Sequence, residues 1–220
     1  MIFFEHSIQA LSAIFGIFCW KKVEPFYLKW VVVILILTCI NESIIIQLII
    51  NGHFKVSQDL AYNIFSIFDM IIWATIFYKI YLSEQVKMFL FIPLFFSISY
   101  SLIDIFCLTG LNKLHLNSIM VYDMSIILLA GNFLYYSLKK EYYKPLSDPF
   151  FWICAACIGY HSLLFINFIT LWLPKEYWKQ PLANTVWDIV ILSADIFYYL
   201  LLSIAFITCT NYKFRRILFQ

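Results

Sequence analysis

The chain has 220 residues, of which 63% are apolar and 20% aromatic, and its 15 Lys and Arg exceed its 13 Asp and Glu by two charges. Its mean hydropathy of +0.85 lies far above that of soluble globular chains, in which about half of the residues are apolar. This composition excludes a soluble domain. The positive charges are spread among short polar connections, so we expect no nucleic-acid partner.

Seven apolar segments follow one another along the chain, each near the length of about 20 residues that crosses a bilayer. They lie at 4–20, 30–51, 60–80, 88–110, 117–138, 150–173 and 184–210. The connections are too short to form a soluble domain, and the first segment lacks the features of a removable signal peptide. We therefore predict an all-α, polytopic membrane protein. It is a single domain over 1–220, a seven-helix bundle placed in the lipid bilayer of the inner (plasma) membrane.

Positive charge is unequal between the two ends of these segments. Eleven of the 15 Lys and Arg lie in the first, third and fifth connections and in the C-terminal tail, and four lie at the opposite ends. Because Lys and Arg accumulate on the cytoplasmic side, we predict that the N-terminus is outside and the C-terminus inside.

Apart from Glu5 at the outer end of the first span, six carboxyl side chains fall within the predicted spans, at or above the middle of the membrane on its outer side. They are Glu42, Asp69, Asp104, Asp123, Asp188 and Asp195. Apart from Lys79 at the opposite end of the third span, the spans contain no Lys or Arg. A carboxylate facing lipid costs about 3 kcal/mol on insertion scales. Ser97, Ser101 and Asp104 share one helix face at i, i+4 and i+7. We expect these faces to point inward.

His161 lies within the sixth predicted span near the middle of the membrane, whereas His6, His53 and His115 lie at or near its outer surface. The sequence therefore predicts an acidic cavity that opens to the outside. We expect Glu42, Asp69, Asp188 and Asp195 to form its core. Asp104, Asp123 and His161 are expected around them.

The spacing of these residues suggests an internal repeat. Glu42 precedes Asp69 by the same number of residues as His161 precedes Asp188. Two three-helix units flanking the fourth helix, a 3+1+3 plan, would account for this spacing. The repeat predicts two related sites, one at Glu42 and Asp69 and the other at His161 and Asp188.

The segment 148–168 reads DPFFWICAACIGYHSLLFINF, with Asp148, Pro149, Phe151, Trp152 and Tyr160 as its distinctive residues. It resembles helix 6 of uncharacterised seven-helix integral membrane proteins and membrane-sensor regions of Bacteroidetes-type bacteria. Those proteins share a D/N-P-x-F-W start and a tyrosine at mid-membrane, and many are associated with sensor histidine kinases. The resemblance implies a sensory role.

The main hypothesis is a membrane sensor or receptor-like module that takes a small cationic or polar ligand, or protons, into the acidic cavity. Ligand binding would favour one of two helix arrangements, and a cytoplasmic or membrane signalling partner would respond to the change. Three alternatives stay open: a small proton- or sodium-coupled secondary transporter, an intramembrane metal-dependent hydrolase using His161, and a structural subunit of a membrane complex. The carboxyls could also serve only to join helices through hydrogen bonds.

Motifs for several common enzyme classes are missing from the sequence. It contains no Gly-rich phosphate loop, no GxSxG and no HExxH. We therefore predict no enzymatic activity and no cofactor.

Overall fold

The computed structural model describes residues 2–21, 23, 28–52, 55–80, 84–108, 115–139, 144–170 and 181–218. Within these ranges it describes all side chains except those of 2–5, 55–58, 84–91, 108, 181–188 and 210–218. Every regular element in these ranges is helical, and none is a strand. The prediction of an all-α chain is confirmed for this part of the molecule.

The described part of the chain contains seven α-helices. They are α1 Ile2–Cys19, α2 Lys29–Ile50, α3 Lys55–Ile80, α4 Glu84–Ile103, α5 Leu116–Leu138, α6 Pro149–Thr170 and α7 Pro181–Leu218. Helices α2, α3, α5, α6 and α7 each contain a stretch long and apolar enough to cross a membrane, and shorter apolar stretches lie at His6–Cys19 and Ile92–Cys107. These helices are compatible with a membrane protein. Proline is the first residue of α6 and of α7. It is well suited to this position, because the first N–H groups of a helix make no hydrogen bond within the helix.

Helix α4 departs from regular α geometry, and the bounds of α3, α4 and α7 differ from the predicted spans by four residues or more at one end at least. The last turn of α4 is replaced by a π-helical turn, Asp104–Leu108. Pro93 lies within α4, and its carbonyl accepts a hydrogen bond from the Ser97 hydroxyl at 2.9 Å. Helix α7 continues to Leu218, beyond the predicted end at 210. The prediction followed the apolar stretch, which ends at Cys209, whereas the helix continues through the more polar residues after it.

The helices pack in a closed ring, each against the next in the chain, with α1 also packing against α7 and α3 against α5. Side-chain contacts along α5 show how the neighbouring helices run relative to it. Asp123 contacts His161 and Phe133 contacts Phe150, so α5 and α6 run antiparallel. Ser118 bonds to Asp104, at the end of α4, which places the end of α4 beside the start of α5. We name the two ends of the bundle the His115 end and the Lys139 end, after the residues that flank α5.

Buried apolar and buried polar side chains occupy different halves of this bundle. Large apolar side chains fill the half toward the Lys139 end, and those that are fully buried there include Leu35, Trp73, Phe77, Leu129, Leu202 and Phe206. Most of the buried polar side chains lie toward the His115 end or near the middle of the helices. A Cβ atom on Gly16 would lie 3.1 Å from Phe206, so this glycine permits the close approach of α1 to α7.

Candidate functional site

A histidine and a carboxylate meet in the interior between α5 and α6. The Nδ1 atom of His161 lies 2.7 Å from Oδ1 of Asp123, and the two residues are 3% and 1% exposed. A carboxylate can only accept hydrogen bonds, so Nδ1 carries the hydrogen when Asp123 is ionised. Each group reduces the cost of burying the other, since an unpaired buried charge is strongly destabilising.

A second carboxyl lies beside this pair. Tyr122 donates its hydroxyl hydrogen to Oδ2 of Asp69 at 2.7 Å, and Trp73, one turn further along α3, also interacts with this carboxyl. Asp69 interacts electrostatically with both His161 and Asp123. Because Tyr122 and Asp123 are adjacent on α5, that helix presents one residue to α3 and the next to α6.

Aromatic rings enclose these polar groups. The ring of Tyr122 lies edge-on to His161 with centroids 5.5 Å apart, and the ring of Tyr160 does so at 5.3 Å. Tyr160 in turn stacks on Tyr198 at 4.5 Å, which brings α7 into the site. We name this group the central cluster, and its members are Asp69, Tyr122, Asp123, Tyr160, His161 and Tyr198.

Two atoms of the central cluster have no hydrogen-bond partner among the described residues. They are Oδ2 of Asp123 and Nε2 of His161. With the hydrogen on Nδ1, Nε2 is an acceptor, and a carboxylate oxygen is also an acceptor. Buried polar atoms are nearly always paired, so these two unpaired acceptors mark positions suited to a hydrogen-bond donor or a proton.

Another buried polar group lies at the His115 end, where α3, α4 and α5 meet. Ser118 donates to Oδ2 of Asp104 at 3.0 Å, and Nδ1 of His115 lies 3.2 Å from the same oxygen. The backbone N–H of His115 donates to Oδ1 of Asn63 at 3.3 Å. All four residues, Asn63, Asp104, His115 and Ser118, are at most 4% exposed. We name them the outer cluster.

The contact between His115 and Asp104 lacks the geometry of a hydrogen bond. Nδ1 of His115 lies 3.2 Å from Oδ2 of Asp104, yet neither ring nitrogen of His115 has a hydrogen-bond partner among the described residues. The orientation of the ring explains both observations, because a hydrogen bond weakens steeply when its angle is poor. Asp104 is also the first residue of the π-helical turn, a feature often found at functional sites.

The seven predicted site residues are distributed unequally over the structure. Asp69, Asp123 and His161 lie in the central cluster, and Asp195, 3% exposed, interacts electrostatically with Tyr160 and Tyr198 beside it. Asp104 lies in the outer cluster. Glu42 is half-buried on α2 and interacts with Cys39, while the side chain of Asp188 falls outside the described residues.

The repeat predicted one site at Glu42 and Asp69 and another at His161 and Asp188, and it stays a prediction because the side chain of Asp188 lies outside the described residues. The contacts described for Asp69 and His161 join them to Tyr122 and Asp123. Two residues expected at the rim of the site, Asp123 and His161, are therefore at its centre. The reason is that both Asp69 and His161 face α5, which packs against α3 and α6.

Several residues of the two clusters were not predicted. They are Asn63, His115, Ser118, Tyr122, Tyr160 and Tyr198. Part of the signal is present in the sequence, because Ser118, Tyr122 and Ser125 recur at i, i+4 and i+7 on α5 and mark its inward face. All three are buried.

The two cavities that the structure describes lie away from both clusters. One, of about 450 Å³, lies between α1 and α2 and is lined by residues such as Ala13, Ile14 and Ile40. The other, also of about 450 Å³, lies beside α4 and α5 and is lined by residues such as Pro93 and Met124. None of the seven predicted site residues lines either of them.

Within the described ranges, no group of three or more His, Cys, Asp or Glu side chains has an arrangement that could hold a metal ion. The His161 and Asp123 pair supplies two ligands, fewer than the three protein ligands usual at catalytic zinc sites. Comparisons with protein-family models, with curated proteins and with solved structures find no match to this chain. Function is therefore inferred from the two clusters themselves.

Proposed function

We propose that this protein is a membrane sensor or receptor-like module that receives a small cationic or polar ligand, or protons, at its central cluster. The seven helices would span the plasma membrane with the His115 end outside and the Lys139 end in the cytoplasm. Five of the helices are long enough to do so unaided, and the two shorter apolar stretches complete the ring.

Lysine and aromatic side chains at the Lys139 end support this orientation. Lys29 lies 5.4 Å from the ring of Trp20, Lys79 lies 5.7 Å from that of Tyr78, and Lys139 lies 4.1 Å from that of Tyr135. Lysines concentrate on the cytoplasmic side of membrane proteins, and aromatic rings anchor helices at the interface. The pairs belong to the first, third and fifth connections, which hold the excess of positive charge.

The observation that carries the proposal is the pair of unshared acceptor atoms, Oδ2 of Asp123 and Nε2 of His161. They are buried where helices from three parts of the chain meet. A proton or a donor bound there changes the charge in an environment that penalises unpaired charge. The helix arrangement that best accommodates the new charge would then be favoured, which is how a ligand shifts a conformational equilibrium.

The alternatives receive less support from the same residues. A coupled transporter needs polar access from both sides, but fully buried Phe77, Leu129 and Phe206 lie between the central cluster and the Lys139 end. A structural subunit would direct its acids toward another chain, whereas Asp69 and Asp123 are bonded to Tyr122 and His161 of this chain. A metal-dependent hydrolase would need a third ligand beside His161 and Asp123.

The proposal is tested with purified protein in lipid nanodiscs, using tryptophan fluorescence because Trp73 lies beside Asp69. The probes are pH between 5 and 8, sodium chloride and methylammonium chloride. We expect at least one probe to change the fluorescence, and we expect Trp73→Phe and His161→Gln to remove that change. Glu42→Gln is the matched control and should respond like the wild type.

Three results would overturn the proposal. The first is an absence of response to all three probes in the wild type, and the second is an unaltered response in His161→Gln. The third is measured proton or sodium flux in proteoliposomes that is lost in Asp123→Asn, which would identify a transporter.

A further inference from the structure

We infer that the ligand is the proton, and that the outer cluster of Asn63, Asp104, His115 and Ser118 is the site through which it reaches the central cluster. This inference rests on the proposed function. It adds the identity of the ligand and a second functional site to that proposal.

The closed geometry of the central cluster favours a proton over a larger ligand. Tyr122 and Tyr198 are 3% and 5% exposed, and their rings pack against the imidazole or against Tyr160. A molecular ligand would have to displace these rings to reach Nε2 of His161. A proton occupies no comparable volume, and both unshared atoms of the cluster can accept one.

The outer cluster has the composition of a proton-accepting site. It contains the carboxyl of Asp104. The imidazole of His115 and the hydroxyl of Ser118 both lie within 3.2 Å of Oδ2 of this carboxyl. Both ring nitrogens of His115 lack a hydrogen-bond partner among the described residues, although the ring is buried. Imidazole is the side chain that ordinarily gains and loses protons between pH 5 and 8. The cluster lies at the end of the bundle that the charge distribution places outside.

Polar side chains follow one another from the outer to the central cluster along α5 and α3. On α5, Ser118 of the outer cluster and Tyr122 of the central cluster are one turn apart, which corresponds to a rise of about 6 Å along the helix axis. On α3, Asn63 of the outer cluster precedes Asp69 of the central cluster, and half-buried Ser66 lies between them in sequence. The inferred route includes water molecules that bridge these polar groups.

The transfer needs only the making and breaking of O–H and N–H bonds. A hydronium ion outside gives a proton to Asp104 or His115 and becomes water. Ser118 donates to ionised Asp104, and once Asp104 is protonated its hydroxyl accepts from that carboxyl and turns its own O–H inward. Each relaying hydroxyl, on Ser118, on bridging water and then on Tyr122, takes a proton from the preceding group and gives its own to the next. Tyr122 already donates to Asp69, so the proton arrives on that carboxyl or passes on to Asp123 or Nε2 of His161. One positive charge enters with each proton, and no oxidant or reductant is involved.

The titratable groups around the two histidines belong to four helices. His115 faces Asp104 from α4. His161 faces Tyr122 and Asp123 from α5 and Asp69 from α3. Its neighbour Tyr160 contacts Tyr198 and interacts with Asp195, both from α7. The observed titration will belong to this set as a whole, because such groups are coupled.

The test follows carboxyl protonation by time-resolved infrared spectroscopy after a rapid pH drop, with the full chain in nanodiscs. Asp123→Asn assigns the carboxyl band of the central cluster. We expect His115→Gln to slow the appearance of this band about tenfold or more, as removal of a proton-transfer group does, and to leave its final amplitude unchanged. His6→Gln is the matched control, since His6 lies on α1 and bonds to Ser43, remote from the outer cluster; it should keep the wild-type rate.

Each outcome decides a different statement. A wild-type rate in His115→Gln with a normal amplitude would overturn the outer cluster as the route and leave the sensor intact. A wild-type protein without any pH-dependent carboxyl band would overturn the proton as ligand, and the sensor would then depend on its response to sodium or methylammonium. If His115→Gln does not fold, Ser118→Ala provides the same test of the rate with a smaller change of volume.

Discussion

Nδ1 of His161 lies 2.7 Å from Oδ1 of Asp123, and through this contact α6 is joined to α5 within the interior of the bundle. Tyr122, the preceding residue on α5, bonds to Asp69 on α3. Two adjacent residues of one helix therefore link three helices. Substitution of any of these four side chains should change both the free energy of unfolding and the response to the ligand.

Replacing His161 by Leu should lower the free energy of unfolding by about 3 kcal/mol, because Asp123 is left buried without its partner. The double variant Asp123→Leu/His161→Leu should recover much of this loss, since the unpaired charge is gone. Unfolding in mixed micelles with increasing denaturing detergent measures both. A loss in the double variant equal to the sum of the losses in His161→Leu and Asp123→Leu would show that the two residues are not coupled.

Tyr122→Phe removes the hydrogen bond to Oδ2 of Asp69 and leaves that carboxyl without its 2.7 Å donor. We expect a loss of about 1–3 kcal/mol in the free energy of unfolding, the usual cost of an unsatisfied buried acceptor. Tyr136→Phe is the matched control, because Tyr136 is 52% exposed, and it should change stability little. Similar effects of the two substitutions would argue against the contact.

Gly159→Ala introduces a Cβ atom 2.9 Å from Cε1 of Phe197, where α6 approaches α7 beside Tyr160. Because Phe197 is half-exposed and can move, we expect a loss near the lower end of the range of about 1–3 kcal/mol typical of overpacking. Gly131→Ala meets nothing within 4 Å and should be neutral or slightly stabilising. The melting temperatures of both variants test this. Recovery in Gly159→Ala/Phe197→Ala would identify the ring as the cause.

Cysteine labelling tests the orientation. Cys107 is exposed at the His115 end, while Cys19, Cys154, Cys157 and Cys209 are buried. A membrane-impermeant thiol reagent added to intact cells should therefore modify the wild type, and Cys107→Ser should abolish that modification. Labelling of Cys107 only after the cells are opened would place the His115 end in the cytoplasm and reverse the proposed orientation.

The polar residues of α4 show what helical spacing in the sequence can predict and what it cannot. Ser97, Ser101 and Asp104 recur at helical spacing, which predicts one inward face, and all three are buried. The partners of that face could not be predicted in the same way. Ser97 bonds to Ser125 and Asp104 to Ser118, both on α5, and such contacts depend on the relative depth and rotation of two helices.

Composition and periodicity by themselves determined that this chain is helical and apolar enough for a membrane, and which of its rare charged side chains are costly to expose. Those are local properties, because hydropathy and the 3.6-residue repeat act within one segment. Only the tertiary structure decided which polar groups meet. Seven helices of similar apolar composition can be arranged in many ways, and contacts such as Asp69 with Tyr122 and His161 with Asp123 exist only in the arrangement in which α5 lies between α3 and α6.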